Sequence, residues 1–338
     1  MIKRGNLARD LKMWLMSTLQ LGPGIGDVFY LCPAASATSN YRQWLVNQGV
    51  DGAHIFATLA DAYAAVTDYR NDVICVFPGN YLETATLLWT KNFVHLVGVG
   101  GSNFFSDWSL LGTTIYTTGI AIDYVINLTG KRNTFHNLCI NNYGANAACL
   151  SPVKVNSYGN SFFKTAFLGI MNSTQIATAG CSSLEIGANG AYSIFEDCTI
   201  GQMAWGARTS ITQGHLLYSG AGGNGPSEVE FRNCIFKSWA ETAGVPMIYI
   251  PNTWGADHLE RYKDCLFYNF WTNWGNKCTS VFKWGSSIAT QSHVLENCTG
   301  VGYTYWQAAG TGECVVTAMP ITATGGGLGR IPTAAVGS

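Results

Sequence analysis

Six segments of this chain repeat one broken phrase: "NTFHNLCIN", "NSFFKTAFLG", "YSIFEDCTIG", "VEFRNCIFKS", "LERYKDCLFY" and "HVLENCTGVG". Each begins as an amphipathic strand, then changes face at an Asn or Asp followed by a small or medium apolar residue. A pattern of period two cannot change faces without a bend in the backbone. Aligned on that bend, the apolar positions are Phe135, Phe163, Phe195, Phe231, Tyr262 and Leu295. The bend positions are Asn137, Thr165, Asp197, Asn233, Asp264 and Asn297. Leu138, Ala166, Cys198, Cys234, Cys265 and Cys298 follow, spaced by 28, 32, 36, 31 and 33 residues. "NFVHLVGVG", around Leu96, is a weaker earlier copy.

Self-similarity at such a period indicates a solenoid or a propeller. Every copy is preceded by another short apolar strand and a turn, as in "YVINLTGKR", "SLEIGANG" and "MIYIPNTWG". Strand, Gly/Asn turn, strand, Asn bend, strand is the coil of a parallel β-helix. A propeller blade needs about 40–50 residues and hairpin turns, and a leucine-rich repeat needs closer leucines. The expected fold is therefore all-β, a right-handed parallel β-helix of about seven coils.

The bend calls for a residue that tolerates the left-handed region, where Asn and Asp rank after Gly. Stacked amides can also hydrogen-bond between coils. The next residue turns into the lumen, where small apolar side chains stack on their equals. Asn137, Asp197, Cys198, Asn233, Cys234, Asp264, Cys265, Asn297 and Cys298 are thus expected to form a structural ladder. The chain has 11 cysteines, an odd number at wide spacings with neither CxxC nor a zinc pattern. They read as free thiols packed as small hydrophobes, in a chain made in a reducing compartment.

Only 12% of residues are charged and the net charge is −1. This balance gives no electrostatic reason to bind nucleic acid or an anionic membrane. No run of 18 apolar residues suggests a transmembrane helix. The basic, then apolar N-terminus is interrupted by Asp10, Lys12 and Gln20, too soon for the core of a signal peptide.

A solenoid needs caps on its terminal coils. In "FATLADAYAAVTDYRNDVICVFPGNYLET", Thr58 and Asp61 resemble a capping box, and Leu59, Ala62, Tyr63 and Val66 form a helical stripe. This predicts a capping helix near residues 58–70, followed by the buried strand "DVICVF". The run to "VHLVGVG" resembles the opening of right-handed β-helix proteins of the pectate-lyase-like superfamily. With "GDVFYLCPAAS" before it, the segment resembles a group encoded in bacteriophage and prophage genomes among virion genes. The resemblance covers about residues 26–305. It implies the fold, whereas activity stays open, since that superfamily holds both enzymes and inert structural proteins.

Three regions are expected. In residues 1–25, Leu7, Leu11, Trp14 and Leu15 share a helical face suited to docking. Residues 26–305 form the β-helix, and residues 306–338 a last strand and a Gly/Ala/Thr-rich tail.

Polysaccharide hydrolases place two carboxylates about 5–10 Å apart, and lyases combine a carboxylate-bound Ca²⁺ with a basic residue. The candidates here are Glu196, Asp197, Glu228, Glu230, Asp264 and Glu296. Asp197 and Asp264 hold bend positions. Glu196 and Glu296 face outward with Arg232 and Lys263 between them, which implies a separation of roughly 14 Å at about 4.8 Å per coil. The outward column is expected to run His136, Lys164, Glu196, Arg232, Lys263 and Glu296. The six histidines lack metal-ligand spacing and read as surface or turn residues. "GAGGNG" lacks the ending of a phosphate loop. Trp239, Trp254, Trp271 and Trp274 read as anchors of a subunit interface, with glycan stacking as the rival.

The sequence thus points to a virion structural protein without catalytic residues or cofactor, made in the cytoplasm of a bacterial host. It would be a homotrimer attached to capsid or other virion proteins through its termini, as a decoration protein, head fibre or spike. The alternatives are a polysaccharide lyase or hydrolase, and an adhesin module binding a host-surface glycan.

Overall fold

The computed structural model describes residues 26–33, 40–100, 112–118, 121–203, 207–220, 225–240, 242–251, 259–270, 278–285, 292–307 and the backbone of 313–317. They form three parallel sheets, A with eleven strands and B and C with eight each. From Asp72–Val76 the chain visits A, B and C in turn, ending with Ser292–Glu296, Thr299–Val301 and Tyr303–Gln307 before Glu313–Thr317 rejoins sheet A. The result is a right-handed parallel β-helix of eight complete coils. It has one coil more than the sequence suggested, because Asp72–Val76, Gly79–Leu82 and Leu87–Trp89 already make a full turn instead of belonging only to the cap.

The break in the phrase is the corner from sheet A to sheet B. Asn137, Asp197, Asn233, Asp264 and Asn297 have φ of 57°, 54°, 50°, 54° and 54°. Two pairs join across coils, Asn233 Nδ2 donating to Asp197 Oδ1 and Asn297 Nδ2 to Asp264 Oδ1, both at 2.6 Å. Asn137 Nδ2 donates to the Gly98 carbonyl at 2.8 Å. A Cβ on Gly98 would lie 2.1 Å from the Asn137 carbonyl oxygen, so this crossing admits only glycine above it.

One copy is shifted by a residue relative to the sequence alignment. Phe162, not Phe163, stands in register with Phe135 and Phe195. The corner is Lys164, with φ of 49°, and Thr165 points inward at the cysteine position. The outward column therefore carries Phe163 where Lys164 was expected. The doubled phenylalanine in "NSFFKTAFLG" offers two alignments, and a lysine at a left-handed corner gives no sequence cue.

The register sets like on like in the lumen. Phe135, Phe162, Phe195, Phe231 and Tyr262 stack with ring centroids 4.9, 4.7, 4.7 and 5.2 Å apart and interplanar angles of 16° or less. Phe236 and Phe267 begin a second stack at 4.6 Å. Beside the corners, the Cys234 thiol contacts the Arg232 and Phe195 carbonyls at 3.3 and 3.4 Å, and Cys265 repeats this with Lys263 and Phe231. Burial holds both thiols well above their ordinary pKa, so each keeps the proton it donates. The corner cysteines Cys198, Cys234, Cys265 and Cys298 are thiols outside any disulfide.

The N-terminal end is closed by helix Leu59–Ala65, with Thr58 as N-cap accepting from the Asp61 N–H at 3.1 Å. Leu59, Ala62 and Tyr63 enter the core. Lys91 Nζ satisfies the far end, donating to the carbonyls of Tyr63, Ala64 and Val66 at 2.9, 3.0 and 2.6 Å. Glu83 lies buried against the other end. Burial and the neighbouring Asp61 push its carboxyl up to about 7, against a partial opposing pull from the Leu59 N–H.

Phe195→Ala, in the middle of the stack, should cost about 3–5 kcal/mol. Asn233→Val should lower the unfolding midpoint more than Asn233→Gly, by the roughly 1–2 kcal/mol of a branched residue in the left-handed region. Equal effects of the two Asn233 variants would show that the corner is not conformationally demanding. Because the folded Glu83 value lies above the ordinary 4.5, its contribution is complete in acid and is lost as pH rises through about 7. Glu83→Gln should match wild type near pH 4 and exceed it by about 3 kcal/mol above pH 8, read from pH-dependent denaturation.

Candidate functional site

The outer face of sheet A in the last four coils collects the charged candidates. Its strands Ile194–Glu196, Glu230–Arg232, Leu259–Lys263 and Ser292–Glu296 place one row as Glu196, Arg232, Lys263 and Glu296. A parallel row two residues earlier brings Glu230 beside Arg261. Aligned side chains stand one rung apart, so Arg232 and Lys263 are neighbouring like charges, and the carboxylates on either side and in the parallel row offset them. Arg232 meets Glu230 at 2.6 Å and Glu196 at 3.7 Å. Arg261 meets Glu296 at 2.6 Å and Glu230 at 3.6 Å, and Lys263 reaches Glu296 at 3.7 Å.

This lattice has chemical consequences. A hydrogen bond from Arg232, helped by the nearby Arg261 and Lys263, holds Glu230 below the usual carboxylate range. Arg261 does the same for Glu296, with Lys263 adding to it. A general acid needs the opposite, a carboxyl raised until it keeps a proton near neutral pH. Arg232 and Arg261 are in turn pushed up by their carboxylate partners. Asp197 and Asp264 accept from the corner asparagines. Glu228 is itself a left-handed residue, with φ of 53°.

The loops from sheet B to sheet C form a second assembly. Polar side chains reach carbonyls one coil away: Asn172 to Gly144 at 2.6 Å, Gln202 to Ile170 at 2.8 Å, Asn269 to Ala240 at 2.9 Å and Lys283 to Gly244 at 3.4 Å. These bonds stack successive loops into a ledge beside the helix.

Of the tryptophans singled out in the sequence, Trp239 is half-buried on the outer face of sheet B, its ring 5.8 Å from that of Phe270 in an edge-on contact. Trp254, Trp271 and Trp274 lie outside the described residues, as do Leu7, Leu11, Trp14 and Leu15. The histidine reading needs correction: His95, His215 and His293 are buried. Burial lowers His293 to about 3 and His95 to about 4, so both stay neutral. His215 Nδ1 meets Ser183 Oγ at 2.8 Å.

Sequence reasoning also passed over Glu260 and Arg208, both fully buried. Glu260 Oε2 accepts from the Val229 N–H at 2.8 Å, and burial pushes its carboxyl well above the ordinary range. Glu260 and His293 face each other across adjacent strands of sheet A. Their shared parity with Tyr262 and Leu295, two positions on, was the signal that could have placed them inside. Among the described residues, no group of three or more His, Cys, Asp and Glu side chains is arranged to hold a metal ion.

No family model matches the chain, and no curated protein matches it. Among solved structures it is similar to a pectin methylesterase from Aspergillus niger, at 16% identity over 87% of this chain and 84% of that one, with a TM-score of 0.49. Pectate lyase Pel9A aligns at 12% identity over 87% and 75% of the two chains, with a TM-score of 0.48. ORF18 of Geobacillus virus E2 aligns at 12% identity over 77% and 58%, with a TM-score of 0.36. At TM-scores below 0.5, neither an activity nor a residue role transfers from them.

The lattice is testable by carboxyl titration. In Arg261→Gln the Glu296 pKa should move up towards the ordinary value, and that of Glu230, held mainly by Arg232, should rise by less. Carbon-detected NMR of the side-chain carboxyls reads both, and an unmoved Glu296 would refute the pairing.

Proposed function

We propose that this chain is a non-enzymatic structural β-helix of a bacteriophage particle, acting as a capsid decoration protein or head fibre and, as second choice, a spike. The observation that carries this reading is the charge lattice. Glu196, Glu230 and Glu296, the outward carboxylates best placed for sugar chemistry, are bound to Arg232, Arg261 and Lys263. Their pairing ties the surface together, and for Glu230 and Glu296 it holds the carboxyl away from general-acid chemistry. The opening segment supports the same reading through its resemblance to β-helix proteins encoded among virion genes. In this reading a homotrimer docks on capsid or other virion proteins through the termini, with Leu7, Leu11, Trp14 and Leu15 as the apolar contacts. Trp239, Trp254, Trp271 and Trp274 then serve contacts between subunits.

Mass spectrometry of purified particles from a phage carrying this gene should find the chain at a fixed copy number per capsid. Deleting residues 1–25 should remove it from particles while leaving the circular dichroism of the purified protein unchanged. Incubation with capsular or pectic polysaccharides should release neither reducing nor unsaturated ends. Their release would replace this reading with a depolymerase. Binding on a glycan array that is lost on Trp271→Ala would replace it with an adhesin.

A further inference from the structure

Arg208 lies in the sheet B to sheet C loop of the fifth coil, where it makes a parallel bridge to Ala240. It is fully buried. Its Nε and Nη2 donate to Ser238 Oγ at 3.3 and 2.9 Å, and Nη2 also donates to the Pro246 carbonyl at 2.7 Å. All these acceptors are neutral. Among the described residues no carboxylate pairs with the guanidinium, and Nη1 has no hydrogen-bond partner. A guanidinium cannot shed its proton to escape burial, as a lysine or histidine can. A buried charge of this kind needs a counter-charge.

The surroundings narrow what can supply it. Ala240, Val245 and Cys278 form a small cluster against which Tyr303 packs, and Cys278 and Tyr303 pair across adjacent strands of sheet C. The Tyr303 hydroxyl is also buried and without a partner. The Cys278 thiol is directed at the Ala240 and Thr242 carbonyls, at 3.5 and 3.7 Å. Arg208 Nη1 and the Tyr303 hydroxyl thus both lie unsatisfied at one cluster of small residues, and Arg208 brings an uncompensated positive charge to it. We propose that a small monovalent anion of chloride size binds at this cluster, held by Arg208 Nη1 and the Tyr303 hydroxyl and locking the loops of the last four coils together. The proposal is independent of the virion reading.

The anion stabilises the folded state by mass action, so the unfolding midpoint follows its concentration. At matched ionic strength in sodium chloride and sodium gluconate, the midpoint should be higher in chloride. It should rise by about 2 °C for each tenfold increase beyond half-saturation. Arg208→Met should abolish the difference between the salts. Crystals of the wild type soaked in bromide should show an anomalous peak against Nη1, a readout that does not depend on the variant folding.

Glu241 follows Ala240 in the chain, lies outside the described residues and is the competing source of negative charge. Glu241→Gln should leave the chloride dependence intact. Equal wild-type midpoints in the two salts would overturn the proposal, as would a chloride effect that survives Arg208→Met or crystals without the bromide peak. A chloride effect absent from wild type but present in Glu241→Gln would assign the counter-charge to Glu241.

Discussion

The last six coils follow from a corner taken in the left-handed region once per coil. With one residue near φ of +55° between sheets A and B, the chain changes direction without spending a loop. The inward parity of sheet A then passes to sheet B. A chain that turns this way at every coil returns to the same place one rung higher, so each side chain faces its own equivalent at strand spacing. Asn and Asp meet the conformational demand, and their side chains also bind the next corner, as Asn233 does to Asp197. Local propensity and long-range contact therefore coincide in one residue, which is what consistency across levels means for a foldable sequence.

Rung spacing then dictates what the lumen can hold. Flat rings fit because their stacking distance is close to the distance between strands, and Phe162 and Phe195 lie within 1° of parallel at 4.7 Å. The same spacing explains the cysteines. A thiol is small enough to sit inside the corner and polar enough to contact two carbonyls there, one of which also accepts a corner N–H, as Arg232 does from Asp197. Thr165, at this position in its own coil, turns its hydroxyl to the Phe163 carbonyl at 3.0 Å, filling the role with a different chemistry. Polar groups enter the lumen where they serve a backbone donor. Asn133 accepts from the Val94 N–H, Asn160 from the Asn133 N–H, and Glu260 occupies the same column and accepts from the Val229 N–H.

This periodicity decided what could be read from the residues. The corner, the inward column and the outward row Glu196, Arg232, Lys263, Glu296 were legible because each repeats with fixed offsets inside a single phrase. Legibility failed where the phrase was degenerate, as with Phe162 and Phe163, or where the corner was Lys164, whose tolerance of positive φ nothing nearby announces. It failed again where residue type outweighed position. His293 and Glu260 stand at inward parity, yet the histidine read as surface and the glutamate was passed over, because the column of asparagines beside them shows only in the register. Arg208 was illegible for a different reason. Loops between sheets B and C vary in length from coil to coil, so no repeat offset places their residues.

That division also bears on where activity specific to this protein can reside. On a sheet face every position inherits the register, so a charged residue has its own row above and below it. Opposite charges meet within a strand and between neighbouring rows, as Arg232 with Glu230 and Arg261 with Glu296, and this ties acids to bases. The faces of the coils are thus biased towards stability and away from reactive pairs. The loop ledge escapes this constraint, because side chains outside the repeat reach carbonyls of neighbouring loops at no fixed offset there, Arg208 that of Pro246 and Asn172 that of Gly144. Irregular polar contacts of this kind can close a chamber or shape a partner's footprint without disturbing the stack beneath. In such a solenoid the regular coils supply rigidity, and recognition belongs to the segments that the repeat does not determine.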